Sequence, residues 1–268
     1  MPPSAQKPDF PYWLAAAAVI AVAVALFIAA SDLYTQVFTT VARGIWITVW
    51  VTLSGFLLAS ALGLGIALMA LSGSTAARQV ARFYVEIIRG VPILVLLFWI
   101  AFAGTPGFVA AWNWATTPLQ AAGLTEPLQV RDVSLLWRAV IALMVGYSAF
   151  IAEIFRAGIQ SVDPGQVEAA KALGLSGFQR FRLIVFPQAI RTILPPLGND
   201  FVAMVKDSSL VSVLGVADIT QMGKIYAAGS FRFFETYSIV AYIYLLLTVG
   251  LSLMLRALER RMRRGRQG

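Results

Sequence analysis

Few side chains in this sequence could do chemistry, and most of them interrupt apolar stretches. Glu153 stands near the end of a run that begins at Ser134, with Arg156 three positions further on. Arg89 comes just before Gly90 and Pro92, and Lys206-Asp207 interrupts a later run. If these runs are membrane helices, each charge costs at least a few kcal/mol and marks a functional hypothesis. A carboxylate at Glu153 could receive the ammonium or a cationic side chain of a passing solute. It could equally pair with Arg156 or with Arg89, and both readings stand at this level. Arg89 sits where Pro92 removes a backbone donor and can bend the helix. It could meet solute, pair with Glu86 or reach for headgroups. Lys206-Asp207 is nearly neutral as a pair and could line a water-filled gate beside an interruption expected at Pro195–Asn199, where Asn199 and Ser208 add polar contacts.

Other chemistry is excluded. The chain has no cysteine and no histidine, which removes disulfides, thiolate or imidazole metal sites and histidine acid–base catalysis. No G-x-x-x-x-G-K-[S/T] phosphate loop occurs, so ATP has no such cradle in this chain. The expectation is a non-catalytic protein with no cofactor or metal of its own.

The elements that hold these residues are membrane helices. Hydrophobic residues make up 59% of the chain and charged ones 13%, against about a quarter charged in an average soluble domain. Ile45 to Leu71 and Thr236 to Leu255 contain no charge at all; about 20 residues suffice to cross a hydrocarbon core. A helix satisfies its own backbone there, so the fold class is all-α and integral to the membrane. The net charge of +8 then orients the chain and meets anionic lipid, rather than signalling nucleic acid.

Six crossings are expected. The first, Trp13 to Ala30, is longer than a signal-peptide core and has a weakly basic leader, Lys7 against Asp9, so it reads as a retained helix. Others cover Gly44 to Leu71, Arg78 to Ala103, Ser134 to Ile159, Gln188 to Leu214 and Thr236 to Ala257. Residues 105–132, rich in Gly, Pro and Trp, read as an external loop with Trp112 and Trp114 at the interface. Ala217 to Ala228 reads as an interfacial amphipathic segment. Assigning both termini to one side places fifteen Lys and Arg there against five on the other, which makes that side cytoplasmic.

The polar stretch from Ser161 to Arg182 falls on the cytoplasmic side. Asp163 can cap a helix whose first residue is Pro164, and Gln166 can complete a capping box. Gly174 fits the residue just past its end. Ser176 and Gln179 then open a second helix. The result is a short polar helix between tight turns, with Ala169, Ala170 and Ala172 as a smooth surface for another protein's groove. Alternatively it lies on the membrane, with Glu168 and Lys171 paired at i, i+3.

At these residues the chain resembles the permease subunits of bacterial ABC importers. Glu168-Ala169-Ala170, Gly174, Ile184 and Pro187 fit their signature, with Phe186 where Leu is usual. Arg89-Gly90-Val91-Pro92, Glu153 to Ile159, Pro187-Gln188-Ala189, Leu194 to Asn199 and Lys206 to Leu210 are similar to the polar amino acid branch, of histidine/glutamine permease type. The resemblance covers residues 43–261 and implies a five-helix core, a pattern that the extra N-terminal helix and the 105–132 loop exceed; with them in place it divides the chain into an N-terminal tail and helix (1–40), a transmembrane domain (41–261) and a basic tail (262–268).

The resemblance also implies that 164–173 is a coupling helix in the cleft of an ATPase subunit, with Gln166, Glu168, Ala169, Ala170, Gly174 and Arg180 as coupling residues. ATP and Mg would be bound by that ATPase dimer. The further partners implied are a second permease, identical or related, an extracytoplasmic amino-acid-binding protein, membrane lipids and the amino acid itself. The location implied is the bacterial inner membrane. The rival functions are a self-contained secondary transporter or channel, and a membrane anchor that carries nothing.

Overall fold

The computed structural model describes residues 12–264, with side chains as far as Arg260. The leader residues Lys7 and Asp9 and the side chains of the 262–268 tail lie outside the described residues. The chain forms α1 (Tyr12–Ala30), α2 (Asp32–Ala42), α3 (Ile45–Ala70), α4 (Thr75–Gly90) and α5 (Ile93–Trp99). A π-turn (Ile100–Gly104) leads into α6 (Thr105–Ala121), followed by α7 (Leu135–Gln160), α8 (Pro164–Ala172) and α9 (Gly177–Arg180). A second π-turn (Phe181–Val185) enters α10 (Phe186–Asp207); a 3-10 stretch (Ser208–Leu214), α11 (Ile219–Ser230) and α12 (Phe233–Arg264) complete the chain. No strand occurs among the described residues.

Helices α3 and α7 form the central pair. Small residues let them approach: a β-carbon on Gly63 would lie 2.9 Å from the Ser148 carbonyl oxygen and 3.1 Å from the Ala152 nitrogen. Val51 and Ala59 of α3, Leu143 and Ile151 of α7, and Met204 of α10 are fully buried in this seam. At the corner before α3, Gly44 lies against the backbone of Asp218 and Ile219 with no room for a β-carbon. Ile219 N–H donates to Thr48 Oγ1 at 3.2 Å, which ties the start of α11 to α3.

Helix α1 runs antiparallel to α12. Tyr242 Oη donates to the Ala21 carbonyl at 2.9 Å, and the Arg256 guanidinium lies 5.4 Å from the Trp13 ring centre. The two ends of the described chain therefore share one end of the bundle.

Five stretches are long and apolar enough to cross a membrane: Tyr12–Ala30, Asp32–Ala70, Ile93–Ala121, Leu135–Gln160 and Phe233–Arg260. Of the expected crossings, Arg78 to Ala103 gives way to Ile93–Ala121, because α4 ends at Gly90 ahead of Pro92, and the sixth, Gln188 to Leu214, is not among them. Its helix, α10, carries Arg191, Asp200, Lys206 and Asp207. Its length alone would suffice.

Two expectations are corrected. Residues 105–121 are helical, not loop. Pro106 falls in the first turn after a π-turn, where a missing donor costs little. Thr105 fills the junction by sending both its N–H and its hydroxyl to the Ile100 carbonyl, the latter at 2.8 Å. Arg138 Nη1 takes the next carbonyl, Ala101 O, at 3.1 Å. The remainder, with one 3-10 turn at Val130–Asp132, folds back on α6: Asn113 pairs through its amide with both backbone groups of Leu128, at 2.8 Å each.

The expected interruption at Pro195–Asn199 is likewise absent, and α10 runs through both prolines without a break. Packing between α7 and α12 holds it in line, with Gly198 placed so that a β-carbon would sit 3.0 Å from Leu255 Cδ2. The backbone tightens later, at Ser208–Leu214, and Gly215 ends that stretch at φ +80°.

Candidate functional site: a charged cleft and a capped loop helix

Helix α4 has an unusual distribution of side chains. Val80, Phe83 and Ile87 point out of the bundle and are more than half exposed, Ala81 and Val85 are buried against it, and the charged side lies open beside that buried face. That charged side, with α3 and α7, encloses a cleft of about 460 Å³. Arg78, Arg82, Glu86 and Arg89 come from α4, and Glu153, Arg156 and Gln160 from α7; Ile66, Ala67 and Ala70 of α3 form the apolar wall. Four arginines thus meet two glutamates in one space.

The sequence alternatives for Glu153 resolve into a pair that still faces the cleft. Arg156 grips it with two bonds, Nη2 to Oε2 at 2.6 Å and Nε to Oε1 at 3.0 Å, and also donates to Gln160 Oε1 at 2.8 Å. Both partners remain about a third exposed. Arg89 forms no ion pair among the described residues; its guanidinium lies 5.4 Å from the centre of the Phe150 ring on α7. Pro92 does interrupt the helix, separating α4 from α5 at Val91. Arg78 is tied by bonds of 3.0 Å to Ser72 O and Gly73 O in the preceding turn.

The remaining candidates lie apart from this cleft, at the far end of α10. Lys206 and Asp207 do not pair with each other: Asp207 Oδ2 accepts from Tyr147 Oη at 2.8 Å, and Lys206 and Asn199 are exposed. Ser208 is fully buried and its hydroxyl is spent on the Val205 carbonyl at 2.7 Å, so it opens the 3-10 stretch rather than a gate. Tyr147 and Asp200, whose Oδ2 is buried without a hydrogen-bond partner, belong to this group and were not singled out from sequence. Asp200 is preceded by Asn199, which drew attention instead; a tyrosine in an apolar helix gives no signal of its own.

On the loop side, Asp163 Oδ1 caps α8 through Gly165 N–H at 2.7 Å. Gly174 takes φ +75°, and the N–H of Leu175 reaches back to Ala170 O at 3.2 Å, closing the helix as a Schellman turn. The Ser176–Gln179 box forms at 3.3 and 2.8 Å. The box predicted through Gln166 does not. Its Oε1 instead accepts from Gln188 Nε2 at 2.6 Å, across to α10.

Glu168, Ala169, Lys171 and Ala172 are exposed, whereas Ala170 is buried, so the smooth surface is narrower than expected. Glu168 and Lys171 form no ion pair among the described residues. Arg180 is half-buried, and its Nε lacks a partner. Two apolar side chains beside the turn were missed: Leu173 is 81% exposed and Phe178 72%. An apolar residue at the end of a polar helix was the available signal.

Membrane-length helices around a charged cleft, with a capped helix carried on a tight loop, define a multi-pass membrane transport subunit. The family model for the inner membrane component of binding-protein-dependent transport systems matches residues 55–264. The chain belongs to that family.

Among curated relatives, it is 36% identical over 223 residues to the glutamine transport system permease protein GlnP of Escherichia coli K12, covering 82% of this chain and 92% of GlnP. It is 35% identical over 225 residues to the probable amino-acid permease protein YxeN of Bacillus subtilis, covering 84% and 92%. Among solved structures, an amino acid ABC transporter crystallised with histidines shares 39% identity at TM-score 0.68, over 85% of this chain and 95% of that one. The inward-facing MetNI methionine transporter shares the fold at 18% identity, with TM-score 0.62 over 87% and 99%.

Proposed function

We propose that this permease carries polar amino acids into a bacterial cell through the inner membrane, driven by ATP hydrolysed on a separate ATPase dimer. The observation that carries the proposal is α8. A helix of nine residues, bearing Glu168-Ala169-Ala170 and closed by Gly174, stands out from the bundle with Leu173 and Phe178 exposed beside its turn. Exposed apolar side chains on a cytosolic loop call for a protein partner. Glu168 and Ala169 face that partner, while Ala170 and Gln166 hold the helix to the bundle. ATP and Mg stay with the ATPase. A second permease, identical or related, and an external amino-acid-binding protein complete the complex, with lipid around it.

The cleft supports the substrate class. An α-amino acid carries one carboxylate and one ammonium, and Arg89 and Glu153 offer complementary charges at one opening. Asn199, Lys206 and Asp207 make a second polar station further along α10. Helix α1, held by Tyr242 and Arg256, is retained as an extra membrane helix, and both termini lie in the cytoplasm.

The test is reconstitution of the full complex with its binding protein in vesicles, using labelled glutamine, arginine and glutamate as probes. ATP-dependent uptake of at least one, lost on Glu168→Lys or Gly174→Asp, is expected. Uptake by this chain alone, without ATP or a second subunit, would overturn the reading in favour of a secondary transporter.

A further inference from the structure

Gln188 sits at a junction of three elements. Its side-chain amide donates to Gln166 Oε1 on α8 at 2.6 Å and to the Ile184 carbonyl in the second π-turn at 3.0 Å. Beneath it, Val167 of α8 packs on a small cluster of Val162, Ala189 and Ile193, which belongs to α10 and the turn between α7 and α8. Helix α8 is therefore fixed to α10 by one apolar contact patch and one side-chain hydrogen bond between helices. From Gln188, α10 runs unbroken to Asp207, where Tyr147 ties it to the middle of α7.

From this geometry we infer that Gln188 is a positioning residue for transport, a rigid link that makes α8 and α10 move as one body. The inference rests on the coupling role proposed above for α8. An amide pair suits such a link better than an ion pair, because it needs no charge at the membrane boundary and keeps its direction at any pH. The Ile184 bond adds a second anchor, so the amide cannot rotate away while the Gln166 bond holds. A displacement imposed on α8 then reaches Asp207 through a helix of 22 residues without a loop in between.

The chain has no native cysteine, so the link can be probed in the full complex with introduced ones. Gln166→Leu and Gln188→Leu keep the bulk and remove the bond. Each is expected to lower uptake of the labelled probe about fivefold more than it lowers ATP hydrolysis, and the double variant to be no worse than either, as residues acting through one bond are non-additive. Gln188→Glu with Gln166→Lys restores a bond across the same gap and is expected to recover uptake.

Gln166→Cys with Gln188→Cys, joined in the complex by a short reducible bis-methanethiosulfonate bridge because a direct disulfide is too short for this gap, fixes the link covalently and is expected to remain active. Loss of uptake on cross-linking, with recovery on reduction, would overturn the rigid link, because it would mean that the pair must open during the cycle. Wild-type uptake in both leucine variants would overturn it too. If Glu168→Lys and Gly174→Asp still abolish uptake while the leucine variants do not, only the link fails. If none of the four affects uptake, the coupling role of α8 fails with it.

Discussion

Gly158 of α7 and Ile193 of α10 interlock so closely that a β-carbon on the glycine would collide with the isoleucine side chain. Ile193 itself belongs to the cluster that supports α8, so the contact fixes how the end of α7 crosses the start of α10. Gly158→Val is expected to force the helices apart, at a cost of about 1–3 kcal/mol as is typical of overpacking, and so to lower the thermal midpoint of the purified complex. Adding Ile193→Ala should return most of that loss, since it clears the space. A midpoint unchanged by Gly158→Val would contradict the crossing described.

Arg138 is buried and spends its guanidinium on backbone: the Val133, Ala101 and Val130 carbonyls all accept from it. Arg138→Met leaves those acceptors without their donor, at about 1–3 kcal/mol for a buried group left unsatisfied. The segment between α6 and α7 should then become a site of rapid proteolysis in the purified complex, while α8 at the other end of the bundle keeps its wild-type resistance. Equal sensitivity at both ends would point to general misfolding instead.

Gly174 has a left-handed backbone that side chains with a β-carbon adopt at a cost of about 1–2 kcal/mol. Asparagine tolerates that conformation better than valine does. Uptake is therefore expected to rank Gly174, Gly174→Asn, Gly174→Val, in falling order, with little change in the amount of assembled complex. An equal loss for Asn and Val would remove the backbone explanation.

Glu153 is held by Arg156 yet open to the cleft. Glu153→Gln keeps the shape and deletes the charge, and is expected to cut uptake about tenfold without affecting substrate binding to the external protein, as for loss of one charged contact. Arg156→Gln should do less harm, because it frees a carboxylate rather than removing one. Equal losses from the two would mean that the pair acts only as a brace.

Legibility differed with the physics at stake. Long apolar runs declared α3, α7 and α12 because membrane solvation leaves a helix no alternative. The caps of α8 and α9 were legible because Asp163, Ser176, Gln179 and Gly174 act on their own neighbours. Two proline-containing stretches were misread, at Pro106 and at Pro195-Pro196. In each case a distant partner, such as Arg138 for Ala101 or Leu255 against Gly198, supports the helix, and nothing local announces it. Gln166 shows the same limit: a residue suited to a capping box found a better acceptor role with Gln188, twenty-two positions away in sequence. The charged cleft was half legible, since Glu153 and Arg89 stood out while the place of Arg82 and Glu86 on its rim depended on how α4 packs.

The π-turn at Phe181–Val185 has a consequence for register. Each residue of an α-helix turns the next by about 100°, and an i→i+5 turn fits an extra residue into nearly the same rise. The faces of α9 and α10 are therefore out of phase, although the chain between them never leaves a helical path. Removing one residue from this turn would keep the helix, its length and the direction in which α9 points almost unchanged, because the wider turn absorbs the extra residue in about the same rotation as well as the same rise. Relatives that differ here by a single residue would therefore present the same motif at nearly the same angle to whatever lies beneath the membrane, with only the apolar pattern between α9 and α10 shifted by one position.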